Sequence, residues 1–179
     1  MIEYLPKVNF QIRVRDDSID GDNPFKWETK STVDFFAKKK SIVFSLPGAF
    51  TPTCSTYQLP DFNKLYEEFK SLGIDEIYCV SVNDSFVMNA WAKSQNIDKI
   101  KVIPDGNGEF TRKMGMLVDK NNLGFGQRSW RYAVLVDDCK IVESFIEEGF
   151  EDNCDSDPYE MSSPQNILKF LKENKKVAI

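Results

Sequence analysis

The sequence predicts an α/β fold in three layers, with helices flanking a mixed central sheet. Three observations lead there. The apolar runs SIVFSL (41–46), IYCVSV (77–82) and IKVIP (100–104) have the length and composition of buried strands. Helical periodicity fills the spacer between the first two, so they form a βαβ unit for which a right-handed crossover is expected. A hairpin and a last helix then follow, which adds strands after the parallel ones. The 179 residues suit one globular domain, taken as 1–179, with no linker long enough to divide it.

In chain order, VNFQIRV (8–14) alternates apolar and polar side chains and reads as a strand. Residues 15–30 are polar, contain Gly21 and Pro24, and read as turns. A short helix over 31–37, capped by Ser31 or Thr32, and a basic turn at Lys38–Lys40 lead into the 41–46 strand. Leu59, Phe62, Tyr66 and Phe69 recur at helical spacing, with Leu65 and Leu72 alongside, and Gly73 ends that helix. Asp84 or Ser85 caps a further helix running to Gln95. Tyr132 to Phe145 reads as a hairpin turning at Asp137-Asp138-Cys139-Lys140. Glu147 to Asp157 holds six carboxylates and no base and is expected to be an exposed loop. Ser163 and Pro164 are the cap and first-turn proline of a final helix with Ile167, Leu168 and Leu171 on its apolar face.

Composition then removes whole classes of function. Lys plus Arg number 23 and Asp plus Glu 28, a net charge of −5 that disfavours a general nucleic-acid binder. The start of the chain, MIEYLPKVNFQIRV, has no basic n-region and no apolar h-region. The longest apolar stretch, Tyr132 to Val136, falls far short of the roughly 20 residues a bilayer span needs. A cytoplasmic protein with no membrane partner is expected. There is no histidine, which excludes Ser-His-Asp and Cys-His catalysis and every histidine-bearing metal site. The four cysteines stand at 54, 79, 139 and 154 with no CxxC pair, so neither a zinc ribbon nor a thioredoxin-type dithiol is supported. In a reducing cytosol they are expected to be separate thiols.

The segment LPGAFTPTCSTYQLPDF (46–62) carries the chemistry. Cys54 follows Thr51-Pro52-Thr53 at the start of the amphipathic helix, and Pro47, Pro52 and Pro60 stiffen the chain around it. Thr53 or Ser55 is the candidate cap. A thiol in a first helical turn faces unpaired backbone N–H groups and the positive end of the helix dipole, and both favour the thiolate. From spacing alone an inert core cysteine fits equally well, since free cysteine is among the most buried residue types.

PGAFTPTC, with SVND (81–84) and RSWRYAVLVDD (128–138), resembles the type-five subfamily of the peroxiredoxins, from about Leu46 to Val142. The family's P-x-x-x-T-x-x-C motif falls on Pro47, Thr51 and Cys54. The resemblance implies a thioredoxin-like fold and reduction of hydrogen peroxide and alkyl hydroperoxides by Cys54. It implies an arginine on a strand beside the thiol, and the spacing to the hairpin points to Arg131 rather than Arg128. It also implies a homodimer and a thiol reductant, glutathione with glutaredoxin or thioredoxin, and no metal, haem or flavin cofactor. Many type-five members carry histidine four residues after the nucleophile; here that position is Gln58. The chemistry needs no imidazole. Arg131 would offer a fixed, always-charged fork, Thr51 Oγ1 can donate and accept, and Pro47 would shape and dry the pocket.

Of the other cysteines, Cys79 lies in an apolar strand and is expected to pack the core, and Cys139 is expected to be an exposed turn thiol. Cys154, in the acidic stretch, is the candidate resolving cysteine, seven residues before the position at which two-cysteine relatives carry theirs, here Met161. Its acidic neighbours Glu151, Asp152, Asp155 and Asp157 are expected to raise its pKa. An external thiol is the favoured alternative. Two other functions compete on this fold: a thiol–disulfide oxidoreductase, weakened by the missing CxxC, and a non-enzymatic dimeric binding or holdase module.

Overall fold

In this computed structural model residues 1–174 are described, and residues 175–179 of the expected domain lie outside them. Near the N-terminus β1 (Asn9–Arg15) pairs antiparallel with β2 (Phe25–Ser31). β2 corrects the expectation of turns over 15–30. FKWETKS alternates, but it buries none of its side chains fully, so it carries little apolar signal. Ser31 then caps α1 (Thr32–Phe36) through a reciprocal box: its hydroxyl accepts from Asp34 N–H, and Asp34 accepts from Ser31 N–H.

β3 (Lys40–Ser45) is the centre of the molecule. After it the chain enters a helical run: a wide π-helical turn (Cys54–Gln58), α2 (Leu59–Lys64) and α3 (Tyr66–Ser71). The single predicted helix is thus broken at Leu65 and begins earlier than the apolar spacing suggested. β4 (Glu76–Ser81), α4 (Ser85–Ser94, capped by Asp84) and β5 (Lys101–Pro104) follow as expected. Between Asp105 and Ser129 lie short elements that no periodicity announced: α5 (Glu109–Lys113), β6 (Leu117–Asp119) and β7 (Gln127–Ser129). β8 (Tyr132–Asp137) and β9 (Lys140–Ile146) form the hairpin, turning on Asp138 and Cys139, both at positive φ. α6 (Pro164–Asn174) closes the described chain, with Ser163 capping it.

The sheet order is β5-β4-β3-β8-β9, parallel among β3, β4 and β5 and antiparallel across β3-β8-β9. Strand alternation divides the core into two. Ile42, Phe44, Ile77, Cys79 and Ala133 meet α2, α3, α4 and α6 on one face. Val43, Tyr78, Val80, Val134 and Val136 meet β1, α1 and α5 on the other. Phe62 stacks on Phe44 at 4.1 Å and continues to Phe69, which seats the cysteine-bearing helix on β3. Burying one such phenylalanine contributes about 1.5–3 kcal/mol. Among the described residues no helix is long and apolar enough to cross a membrane.

One exposure expectation is corrected. Cys139 is half-buried, and burial next to Asp138 pushes its thiol up. The acidic stretch is an exposed loop as expected, except that Glu147 and Cys154 are buried and anchor it. Glu147 is buried and accepts from the backbone N–H groups of Glu160, Met161 and Ser162 and from Ser162 Oγ, at 2.6–2.8 Å. Cys154 is buried in the second core with Sγ 3.3 Å from Ser156 Oγ. The reason is that the loop's acids act singly on distant partners, which a count of charges does not reveal.

Candidate active site

The loop from Leu46 to Thr51 leaves β3 and delivers the chain to the helix. Phe50 adopts φ +63°, a left-handed conformation that a phenylalanine keeps only when its surroundings hold it there. Asn83, in the SVND segment, accepts from Ala49 N–H at 3.0 Å and from Ser81 Oγ at 2.6 Å and so fastens this loop to β4. Thr51 Oγ1 donates to Gly48 O at 2.7 Å. Its carbonyl receives the first helical bond, from Ser55 N–H at 3.0 Å. Cys54 therefore lies in the first turn, where backbone N–H groups lack helical acceptors. Neither Thr53 nor Ser55 caps the helix: Thr53 makes no capping bond, and Ser55 Oγ accepts from Trp91 Nε1 at 2.9 Å, tying the turn to α4.

Arg131 directly precedes β8 and shares the parity of Ala133, so its side chain falls on the face that carries Cys54. It is 2% exposed, and Cys54 is fully buried. Arg131 Nη1 lies 3.5 Å from Cys54 Sγ and 2.5 Å from Gln58 Oε1. Nε donates to Pro158 O at 3.1 Å, and Nη2 to Asp157 Oδ1 at 2.5 Å. Tyr159 stacks against the guanidinium at 5.7 Å, and its hydroxyl donates to Asp61. Burial works against the charge of Arg131, but negative charge at Cys54 and Asp157 outweighs it and raises the pKa. Burial likewise opposes ionisation of Asp157. Arg131, with a hydrogen bond from Thr53, reverses this and holds the carboxyl below the usual range.

Arg128 takes a different position. Its Nε donates to Phe125 O at 3.1 Å and its Nη1 to Pro47 O at 3.4 Å. A Cβ on Gly48 would meet Nη1 at 2.5 Å, so the guanidinium packs directly on this loop and a larger residue there would push it aside. The structure thus brings Pro47, Thr51, Cys54 and Arg131 to one place. Cys79 lies beneath on the same face; burial pushes its thiol well up, negative charge at Cys54 adds to this, and Arg131 opposes it. Cys154 lies in the core of the opposite face.

Sequence reasoning missed the supporting residues. Gln58 appears there only as a substitution, and Asp157 only as one acid among six. Asn83 sits in a motif without a role. Tyr159 carries no signal at all in the linear chain.

Chemically, the arrangement presents a buried thiol with a buried, hydrogen-bonded cation beside it. Residues 26–160 match the Redoxin family. The chain is 64% identical over 172 residues to a peroxiredoxin of Rhizobium etli, covering 96% of each. It is 58% identical over 170 residues to one of Synechocystis, covering 95% of this chain and 90% of that protein. Among solved structures, it superposes on the antioxidant protein of Plasmodium falciparum, described as a 1-Cys peroxiredoxin, with a TM-score of 0.89. The two are 41% identical over 96% of this chain and 99% of that one.

Proposed function

The chain belongs to the peroxiredoxin family, and we propose that Cys54 is its peroxidatic nucleophile, assisted by Arg131 and Thr51 in a pocket shaped by Pro47. The fold is thioredoxin-like and the activity is that of a thiol-dependent peroxidase. The Cys54 thiolate attacks one oxygen of hydrogen peroxide or an alkyl hydroperoxide, and the O–O bond breaks. The leaving oxygen takes a proton and departs as water or alcohol, leaving a sulfenic acid on Cys54. Negative charge grows on that oxygen in the transition state, where Arg131 N–H groups stabilise it more than in the ground state. The observation that carries this reading is the buried Arg131 Nη1 at 3.5 Å from Cys54 Sγ.

The cycle closes through an external thiol. That thiol displaces water from the sulfenic acid to form a mixed disulfide, and a second thiol equivalent releases Cys54. Glutathione, with or without glutaredoxin, is the proposed reductant, and thioredoxin the alternative. The anchored, buried state of Cys154 supports this choice over an internal disulfide, as does the 1-Cys description of the Plasmodium falciparum protein. Membership of the type-five subfamily belongs to the same proposal, resting on PGAFTPTC, SVND and RSWRYAVLVDD. So does a reducing cytoplasm, the compartment that supplies such a thiol. A homodimer is proposed as well, supported by Trp27, Phe50, Tyr57 and Phe86, aromatic side chains each more than half exposed. The test is peroxide consumption by purified protein with dithiothreitol and with glutathione. Cys54→Ser is expected to abolish both; near-wild-type consumption by that variant overturns the mechanism.

A further inference from the structure

The segment Asp157-Pro158-Tyr159 grips Arg131 from three sides. Asp157 takes Nη2, the Pro158 carbonyl takes Nε, and the Tyr159 ring lies over the guanidinium plane. With Cys54 Sγ and Gln58 Oε1 on Nη1, four of the five guanidinium N–H groups are engaged among the described residues. A guanidinium on a long, flexible stem is rotationally free unless its edges are held, and here two of the three nitrogens are held by this one segment. The segment is itself held. Tyr159 Oη reaches Asp61 on α2, and the following three residues close on Glu147.

We infer that Asp157 is a positioning residue for peroxide reduction: it fixes the Arg131 guanidinium so that Nη1 faces Cys54. The inference rests on the role proposed above for Arg131. It has a cost built in, because a carboxylate on Nη2 offsets part of the positive charge that the leaving oxygen meets. Geometry decides the sign. Without the pair, Nη2 would turn toward the nearest acceptor and carry Nη1 off the sulfur, and misplacement of about 1 Å can cost on the order of 100-fold. Asp157 touches no reacting atom and acts only through Arg131.

The experiment is a double-mutant cycle on the full chain, reading the second-order rate with hydrogen peroxide. Asp157→Ala is expected to slow the reaction roughly tenfold, and Asp157→Asn, which keeps an acceptor on Nη2, to recover most of that loss. In an Arg131→Met background, Asp157→Ala is expected to change the rate less than about twofold, since the group it positions is gone. Alkylation of Cys54 by a neutral reagent, which develops no charge on a leaving oxygen, serves as the structural control and is expected to move little. A wild-type or faster rate for Asp157→Ala overturns the inference, as does an equal loss in the Arg131→Met background. Should Asp157→Ala fail to fold, Asp157→Asn and the cycle built on it decide the matter: Asn no better than Arg131→Met refutes positioning. If Arg131→Met itself keeps the wild-type rate, the role proposed for Arg131 falls, whatever Asp157 does.

Discussion

A thiol of ordinary pKa, about 8.5, is only a few per cent ionised at pH 7. Complete ionisation of Cys54 would therefore raise its rate by one to two powers of ten, roughly 2 kcal/mol. Any larger acceleration must come from stabilising the departing oxygen, and Arg131 is the cation in place to do so, with Nη1 3.5 Å from the sulfur. Arg131→Met is expected to slow peroxide reduction by about 100-fold or more, the range found when a preorganised donor is removed. Arg128→Met is expected to cost less than about tenfold, because its bonds go to the carbonyls of Pro47 and Phe125 and support the loop. Stopped-flow rates for both variants, with thiolate absorbance against pH, separate the effects. A larger loss for Arg128→Met would exchange the two roles. At this scale the motif sets Pro47, Thr51 and Cys54 close together in the chain, and the structure brings Arg131, which the resemblance pointed to, beside Cys54 from the face of β8 that carries Ala133. Asp157 and Tyr159 were hidden because their contacts with Arg131 span 26 and 28 positions of the chain, and no local pattern encodes such a contact.

Two elements govern access and order around the site. The first is the π-helical turn at Cys54–Gln58, closed by Leu59 N–H on Cys54 O. Cys54 is fully buried, so an external thiol reaches its sulfenic acid only through a local opening, and the turn that carries the sulfur is the proposed place for it. Hydrogen exchange at residues 54–59 is expected to quicken after one equivalent of peroxide; unchanged protection would place the opening elsewhere. The second is the β9–α6 loop, knotted by Glu147. Glu147→Gln puts an amide N–H among backbone donors and is expected to destabilise the protein by about 1–3 kcal/mol, visible as a lower urea midpoint. A midpoint within error of the wild type would mean that the loop is held by its other contacts. These elements also show what the chain made legible. Continuous apolar runs announced β3, β4 and β5, because strands buried on both faces need apolar residues throughout. β2 and the elements from α5 to β7 are short or half-exposed, so burial left no period to read.

Across the whole molecule, the two thiols that would have to meet for an internal disulfide belong to different cores. Cys54 belongs to the cluster that holds Phe44 and Phe62, Cys154 to the one that holds Val43 and Trp130. The loop carrying Cys154 is fastened to the β6 region. Asn153 N–H donates to Asp119 O at 2.7 Å, Asp119 N–H to Asp152 Oδ1 at 2.7 Å, and Asn122 N–H to Asn153 Oδ1 at 3.1 Å. A disulfide needs Cα atoms within about 7 Å and opposed Cβ vectors. To approach, Cys154 would have to leave its core, break these bonds and draw Asp157 away from Arg131, only three residues further on. Each lost hydrogen bond costs about 0.5–1.5 kcal/mol and the buried cation more, so the bridge starts from a substantial deficit. An external thiol needs only the Cys54 turn to open. One equivalent of peroxide is therefore expected to leave a Cys54 sulfenic acid that dimedone traps, and glutathione to convert it to a mixed disulfide, a mass gain on the Cys54 peptide alone. Cys154→Ser is expected to keep glutathione-supported turnover within about twofold of the wild type, the range of a substitution uncoupled from the chemistry. Peptide mapping decides it: prompt, quantitative Cys54–Cys154 linkage would show that the loop opens far more cheaply than its contacts imply and that the enzyme resolves its own sulfenic acid.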